Sequence, residues 1–323
     1  MRAAIIGTGY IAGVHVRNIS QHPDIEIVGC VDVTPGQAAK AAETWGGNAY
    51  ESVDDLLAHE QMDIAWLCVP PFVHGDIELK LIEAGVPMYI EKPISLDMSV
   101  AEKIARALQD SKVLATVGYH WRSIAVLAEV RKLLQENPPH LVEAAYLGNT
   151  PGTPWWRRKE KSGGQVVEQA THLYDIARML LGEATVLHAA DTFRPLPDYE
   201  GLDVATATSA TLAFGSGTLA HFSTTCVLKS TPQVSISFYS PGRKIMLTRK
   251  EYGGANDTEL IVETEAFRSV RTLHDTAIAT TDYAFIEAVK SGDPAKLPCG
   301  YDDALKTHRL CLQVTELAER NRI

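Results

Sequence analysis

The run Arg2-Ala-Ala-Ile-Ile-Gly7-Thr8-Gly9-Tyr10-Ile11-Ala12-Gly13 constrains this chain more than any other. A short apolar strand enters a glycine turn and then an apolar-periodic helix, the layout that seats a dinucleotide pyrophosphate. Gly7 allows the tight turn, Gly9 lets backbone approach phosphate, and Ala12 permits close helix-to-strand packing. The helix N-terminus then offers its unpaired N–H groups to the phosphate charge, with Thr8, Tyr10 and Ile11 completing the cradle. A Gly-x-Gly pair by itself marks turns of many kinds, so its meaning depends on what surrounds it.

The surroundings fit. Strand-like segments at Ala3–Ile6, Ile25–Val31, Ile64–Cys68, Pro87–Ile90 and Val113–Val117 alternate with helical patterns at 11–20, 37–45, 74–83 and 100–109. Such alternation predicts a parallel sheet with crossover helices, an α/β Rossmann domain over residues 1–120. After Trp121 the pattern changes. A helix over 124–136 stops at Asn137-Pro-Pro, a strand follows at Val142–Leu147, and a helix is expected over Val166–Leu181. From Val204 to about Val262 the chain reads as successive antiparallel strands, and helices at Asp282–Ser291 and Tyr301–Arg320 close it. Residues 121–323 are thus expected to form an α+β domain with an open, mostly antiparallel sheet, serving substrate binding and oligomerisation. The last helix is available to pack back on the first domain.

Charge and cysteine usage narrow the function classes. Thirty basic and 40 acidic residues give a net charge of −10 without a basic run, which disfavours nucleic-acid binding. The five cysteines are scattered and form no Cys-x-x-Cys pair, as expected of reduced thiols in a cytoplasmic protein. Val204–Leu228 lacks Asp, Glu, Lys and Arg, but Gly215-Ser-Gly217 interrupts it, so it reads as a β-hairpin and no membrane association is expected. The opening apolar stretch, broken by Gly7 and Gly9, does not read as a signal peptide.

Three strand ends carry candidate chemistry. Asp32 ends the second strand about 20 residues past the glycine turn, where an acid hydrogen-bonds the adenosine ribose. Its charge would repel a 2′-phosphate, so NAD is expected and NADP is the less suitable cofactor. Pro70 and Pro71 bend the chain at the end of the third strand ahead of His74, a cap or cofactor neighbour. Glu91-Lys92-Pro93 ends the fourth. A lysine there, beside a cationic nicotinamide in a semi-buried pocket, would have a lowered pKa suited to holding a hydroxyl and sharing in proton transfer.

These pieces together resemble a known family. Gly7-Thr-Gly9-Tyr-Ile-Ala12, Val69-Pro70-Pro71 with His74, Glu91-Lys92-Pro93, Gly118-Tyr119-His120-Trp-Arg122 and Gly163-Gly164-x-x-x-Glu168-x-x-x-His172-x-x-Asp175 stand in the order of the Gfo/Idh/MocA oxidoreductases, named after glucose-fructose oxidoreductase and inositol 2-dehydrogenase. The resemblance implies hydride transfer between a nicotinamide and a sugar or cyclitol carbon, and assembly as a homodimer or homotetramer through the C-terminal sheet. It makes Lys92 the catalytic lysine and His172 the proton-transfer histidine. Glu168 stands where many members have aspartate, so its carboxylate reaches about 1.5 Å further, one carbon–carbon bond, and substrate identity does not carry over.

Chemistry agrees with that grouping. In one continuous helix Glu168 and His172 would share a face, and imidazole titrates in the range suited to accepting a hydroxyl proton. Asp175, a further turn on, could orient the imidazole or bind its neighbours. Thr153-Pro-Trp155-Trp156-Arg157-Arg158 couples flat apolar faces with guanidinium groups, which suits either a sugar ring and its hydroxyls or a packed loop. Tyr119, His120 and Arg122 sit at the domain crossover, within reach of nicotinamide or substrate. The expected function is a sugar or polyol dehydrogenase that binds a secondary alcohol between its domains. No metal is needed, because Lys92 supplies the positive charge and His15, His74, His120 and His172 lack zinc-ligand spacing. The alternatives are a non-catalytic regulatory protein that binds NAD and sugar, and a glycosidase that oxidises its substrate transiently.

Overall fold

The computed structural model describes residues 1–229, 232–252, 255–274 and 276–323. The chain divides into two compact units, one of residues 1–120 with 278–305, the other of residues 121–277 with 306–323.

In the first unit, β1 (Arg2–Ile6), β2 (Glu26–Val31), β3 (Asn48–Tyr50), β4 (Ile64–Leu67), β5 (Met88–Ile90) and β6 (Ala115–Val117) form a parallel sheet in the order β3-β2-β1-β4-β5-β6. Helices α1 (Tyr10–Ile19), α2 (Gln37–Trp45), α3 (Val53–His59), α4 (Asp76–Glu83) and α5 (Met98–Ser111) link these strands. Successive strand residues face opposite sides, so Ile5, Trp66 and Tyr89 join one apolar layer while Ile6, Leu67 and Ile90 join the other. The first layer is completed by Phe285 and Ile286 of the helix Ala277–Ser291, from near the end of the chain. Strand order reverses between β1 and β4, and in open sheets of this kind the ends of such strands are where ligands bind.

β3 and α3 have no counterpart among the expected elements. β3 is a three-residue edge strand with exposed Asn48 and Ala49, so it carries no apolar alternation. α3 is one short amphipathic helix, started by Ser52, whose hydroxyl accepts the Asp55 N–H at 3.1 Å.

The second unit opens with α6 (Leu127–Glu136), β7 (Leu141–Leu147), α7 (Lys159–Ser162), α8 (Gln165–Glu168) and α9 (Thr171–Leu181). Strands β8 (Ala184–Thr192), β9 (Ala207–Phe214), β10 (Leu219–Thr225), β11 (Gln233–Ser240), β12 (Arg243–Tyr252), β13 (Ala255–Thr264) and β14 (Arg268–His274) follow. The chain closes with α10 (Ala277–Ser291) and α11 (Tyr301–Arg320). The eight strands run in the order β14-β13-β12-β11-β7-β10-β9-β8. β7 and β10 pair in parallel and the remaining pairs are antiparallel. The charge-free stretch from Val204 is the β9–β10 hairpin; residues 230–231 and 253–254 of the expected strand run lie outside the described residues.

One face of this sheet is apolar. Ala220 and Phe222 of β10, Leu212 of β9 and Ile236 of β11 are buried, whereas Leu219 and His221 on the other face of β10 are exposed. Tyr174 of α9 stacks on Phe222 with ring centroids 4.2 Å apart, which seats α9 against the buried face. No described helix is long and apolar enough to cross a membrane.

Candidate active site

The glycine turn has the geometry its residues suggest. Gly7 has φ +83°, and a Cβ there would lie 2.5 Å from the Cys68 carbonyl oxygen, so both conformation and space require glycine. Its N–H donates to Val31 O at 2.8 Å, tying the turn to the end of β2. Gly9 is the N-cap of α1 and makes no side-chain cap, and a Cβ there would meet no atom of the described residues within 4 Å. The first N–H groups of α1 therefore face space that a pyrophosphate can fill, and the residues present fit a dinucleotide. Tyr10 is exposed, Ile11 half-buried and Ala12 buried.

Asp32 is occupied by its own loop. Its Oδ2 accepts the Thr8 N–H at 3.0 Å and the Thr8 hydroxyl at 2.8 Å, and its Oδ1 accepts the Thr34 N–H at 2.9 Å. Burial raises the carboxyl pKa, but these donors outweigh it and hold the group below its ordinary range. Beyond β4, Pro70 leads into a single 3₁₀ turn, and His74 Nδ1 meets Glu78 Oε1 at 2.5 Å with both side chains buried. His74 Nε2 is also buried and makes no hydrogen bond to protein, an acceptor or donor that a ligand group could satisfy.

At the end of β5, Glu91 is buried and Lys92 half-buried. A Cβ at Gly118 would stand 2.5 Å from Glu91 Oε1, so glycine there is what admits this carboxylate. Glu91 Oε1 meets His15 Nε2 at 3.1 Å, and His15 Nδ1 meets Asp282 Oδ1 at 2.7 Å. Tyr119 and His120 are buried as well. His15 and Asp282 are partners across 267 positions, which no local pattern in the chain indicates. The available signal was a histidine on the buried face of α1, which must find a hydrogen-bonding partner.

In the second unit the expected single helix is broken. α8 ends at Glu168 and α9 begins at Thr171, with the Ala170 N–H reaching back to Gln165 O at 2.8 Å. Glu168 and His172 therefore sit on two helical segments rather than one face. The Trp156 indole N–H donates to Glu168 Oε2 at 2.7 Å. Trp156 is buried in a small apolar cluster with Leu202, Val204 and Cys226, while Trp155 packs on its edge half-buried. The Arg157 guanidinium lies 5.3 Å from the Tyr199 ring centroid. His172 is buried with its ring nearly parallel to that of Trp121. Asp175 takes up Arg122, with Arg122 Nε at 2.7 Å from Oδ2 and Nη2 at 2.5 Å from Oδ1, and also accepts the Thr307 hydroxyl at 2.8 Å. Of the expected residues, Glu168, His172, Arg122, Trp155, Trp156 and Arg157 thus lie in the second unit, and Lys92 in the first.

Known proteins are similar to this chain in sequence and in fold. Residues 1–119 match the NAD-binding Rossmann fold of the oxidoreductase family GFO_IDH_MocA, and residues 128–240 match the GFO/IDH/MocA C-terminal domain. Inositol 2-dehydrogenase of Rhizobium meliloti is 28% identical over 187 residues, which cover 58% of this chain and 56% of that protein. The chain spans about half the length of the curated relatives it matches. UDP-N-acetylglucosamine 3-dehydrogenase GnnA of Acidithiobacillus ferrooxidans superposes with a TM-score of 0.81 at 20% identity, covering 99% of this chain and 98% of that one. KijD10, a 3-ketoreductase of Actinomadura kijaniata in complex with NADP and TDP-benzene, gives 0.85 at 18% identity over 100% and 98% of the two chains.

The KijD10 complex overturns the expectation that NADP is the less suitable cofactor, since the same fold holds NADP there. Asp32 also has a second, structural role in this chain. Its two oxygens serve Thr8 and Thr34, so an acid at this position braces the loop and is not by itself evidence of a barrier to a 2′-phosphate. With both of its domains matched, the chain belongs to the Gfo/Idh/MocA family of NAD-binding oxidoreductases.

Proposed function

We propose that this protein is an NAD(P)-dependent dehydrogenase acting on a secondary alcohol of a sugar, glycoside or cyclitol. The observation that carries the reading is the glycine turn at the N-terminus of α1, with Gly7 in a conformation reserved for glycine and open space before Gly9. The inositol dehydrogenase, the nucleotide-sugar dehydrogenase and the ketoreductase above support the substrate class.

Gly7, Thr8, Gly9, Tyr10, Ile11 and Ala12 would hold the pyrophosphate, with Asp32, Pro70, His74 and Glu91 flanking the rest of the dinucleotide. When bound, its nicotinamide exchanges a hydride with the substrate carbon. Lys92 stabilises the negative charge that grows on the substrate oxygen, and His172 accepts the hydroxyl proton or returns it in the reverse direction. Trp121 limits rotation of the His172 ring, so the nitrogen that receives the proton is held in direction. Trp156 fixes one oxygen of Glu168, which leaves that carboxylate a defined reach toward a substrate hydroxyl. Tyr119, His120, Arg122, Trp155 and Arg157 complete the proposed substrate contacts.

Five free, buried cysteines support a reducing, cytoplasmic setting. The exposed face of the second unit's sheet, including Leu219 and Leu187, supports self-association, which light scattering on the purified protein measures directly. A panel of sugars, cyclitols, sugar acids and nucleotide sugars, assayed with NAD and with NADP by reduced-nicotinamide absorbance, tests the activity. Steady cofactor reduction that disappears in Lys92→Ala is expected. Product release without net cofactor reduction indicates the transient-oxidation glycosidase, and binding without any turnover indicates the regulatory protein.

A further inference from the structure

An extensive buried polar cluster of the first unit includes Glu91, the residue next to Lys92 in the chain. His15 of α1 is fully buried, as is Asp282 of α10, and Glu91 is nearly so. His15 Nδ1 meets Asp282 Oδ1 at 2.7 Å and His15 Nε2 meets Glu91 Oε1 at 3.1 Å, so the ring bridges two carboxylates. Asp282 is satisfied further by Trp66 Nε1–H at 3.1 Å and by Asn18 Nδ2–H at 2.9 Å. Two carboxylate acceptors on opposite sides of one imidazole are both met when both ring nitrogens carry protons, because a neutral ring donates only once. Burial by itself lowers the His15 pKa, but the two carboxylates outweigh it and raise it to about 10. The groups around this cluster that could also titrate are Tyr89, whose ring lies 4.8 Å from that of His15, and Cys68, and burial first, then the same two carboxylates, push both toward their neutral forms.

The bridge ties together three pieces of backbone that the proposed reaction uses. α1 begins at the glycine turn, Glu91 immediately precedes Lys92, and α10 closes the layer behind them. Gly118 packs against the Glu91 carboxylate, and the Glu91 N–H donates to Leu67 O at 2.9 Å, so both the side chain and the backbone of Glu91 are held. We propose that His15 is a positioning residue which, clamped between Asp282 and Glu91, fixes the backbone that carries Lys92 and balances the charge under its ammonium. The proposal rests on Lys92 being the lysine of the reaction.

With His15 protonated the cluster carries two negative charges and one positive, a net of about −1 in formal charge. His15→Gln keeps a hydrogen-bonding side chain and removes the positive charge, while Glu91→Gln removes one negative charge. Both variants weaken the same His15–Glu91 bridge, so a merely structural role moves Lys92 the same way in both or not at all. Charge balance moves it in opposite directions.

The test reads Lys92 without any substrate. Reductive methylation with ¹³C-formaldehyde labels the lysines of the protein, and Lys92→Arg identifies the Lys92 resonance. In His15→Gln its titration midpoint is expected to rise by about half a unit or more, and in Glu91→Gln to fall by a similar amount, the scale of one charge in a partly screened site. The double variant His15→Gln/Glu91→Gln restores the net charge and returns the midpoint toward that of the parent protein. Midpoints that do not move, or that move with the same sign in both single variants, overturn the proposal. If His15→Gln does not fold, the fall in Glu91→Gln alone decides. Turnover that survives in Lys92→Ala refutes the dehydrogenase mechanism instead, and that result is independent of the titration shifts.

Discussion

The Trp121 indole lies almost parallel to the His172 imidazole, with ring centroids 6.3 Å apart and planes inclined by 16°. Both residues are buried, so the contact holds the plane of a ring whose edge nitrogens carry the proton chemistry in the proposed reaction. Trp121→Leu is expected to lower kcat about 10-fold, the upper end of what an aromatic pair contributes, with little change in the KM for the nicotinamide cofactor. Trp121→Phe should retain most of the rate. Steady-state kinetics on whichever sugar the panel identifies checks this, and a Trp121→Leu enzyme with parental kcat would count against it.

Gly7 and Gly9 are close in sequence and differ in what a side chain would meet. A Cβ at Gly7 would strike the Cys68 carbonyl in a left-handed backbone, whereas one at Gly9 meets no protein atom within 4 Å. Gly7→Ala is therefore expected to destabilise the protein by about 1–3 kcal/mol. Gly9→Ala should melt like the parent protein yet bind NADPH and NADH at least about 10-fold more weakly, because its methyl enters the phosphate space. Thermal melting with and without cofactor, and fluorescence titration, distinguish the two.

Arg122 and Asp175 form a two-bonded ion pair in which the Asp175 side chain is fully buried. Asp175→Asn leaves the guanidinium without its counter-charge and weakens the bond from Thr307, so a loss of about 3–5 kcal/mol is expected. Replacing both partners, as Arg122→Met with Asp175→Leu, should cost less than Asp175→Asn alone, since no buried charge is then stranded. Urea unfolding of the three proteins measures the order.

His15 also makes stability depend on pH. Its pKa is raised from 6.5 to about 10 in the folded protein. Between those values the native state holds a proton that the unfolded chain has released, so the contribution is complete below pH 6.5 and is lost as pH rises through about 10. Melting temperature should therefore decline across this alkaline range, and His15→Gln should flatten that decline while lowering the melting temperature near neutrality. An equally steep decline in the variant would assign it to other groups.

Much of the fold is legible in the chain because it is written in short windows. α2 and α11 run over the residues their periodicity indicates, and the Val204–Leu228 stretch pairs as a hairpin around its Gly-Ser-Gly turn. β3 and α3 escape such reading because one is too short and exposed to alternate and the other spans only two turns. The break between Glu168 and His172 escapes it too, since Gln169 and Ala170 are both compatible with an unbroken helix. Trp156 shows the same limit in the site: its neighbours along the chain suit a sugar-facing or a packed ring alike, and its packing on Leu202, Val204 and Cys226 is a property of the fold.

From the sequence alone come the glycine turn, the switch from alternating strands and helices to a meander of strands, and the order of the motifs that mark the family. Each is a property of neighbours along the chain, where steric freedom at glycine and the periods of helix and strand act directly. Tertiary structure decided the partners: His15 with Asp282 across 267 positions, Arg122 with Asp175 across 53, Trp156 with Glu168 across a helix break. A buried polar group must find a partner, but which partner depends on the elements that fold against it. That is why Asp32, read along the chain as a guard against NADP, turned out in the folded protein to be a brace for Thr8 and Thr34.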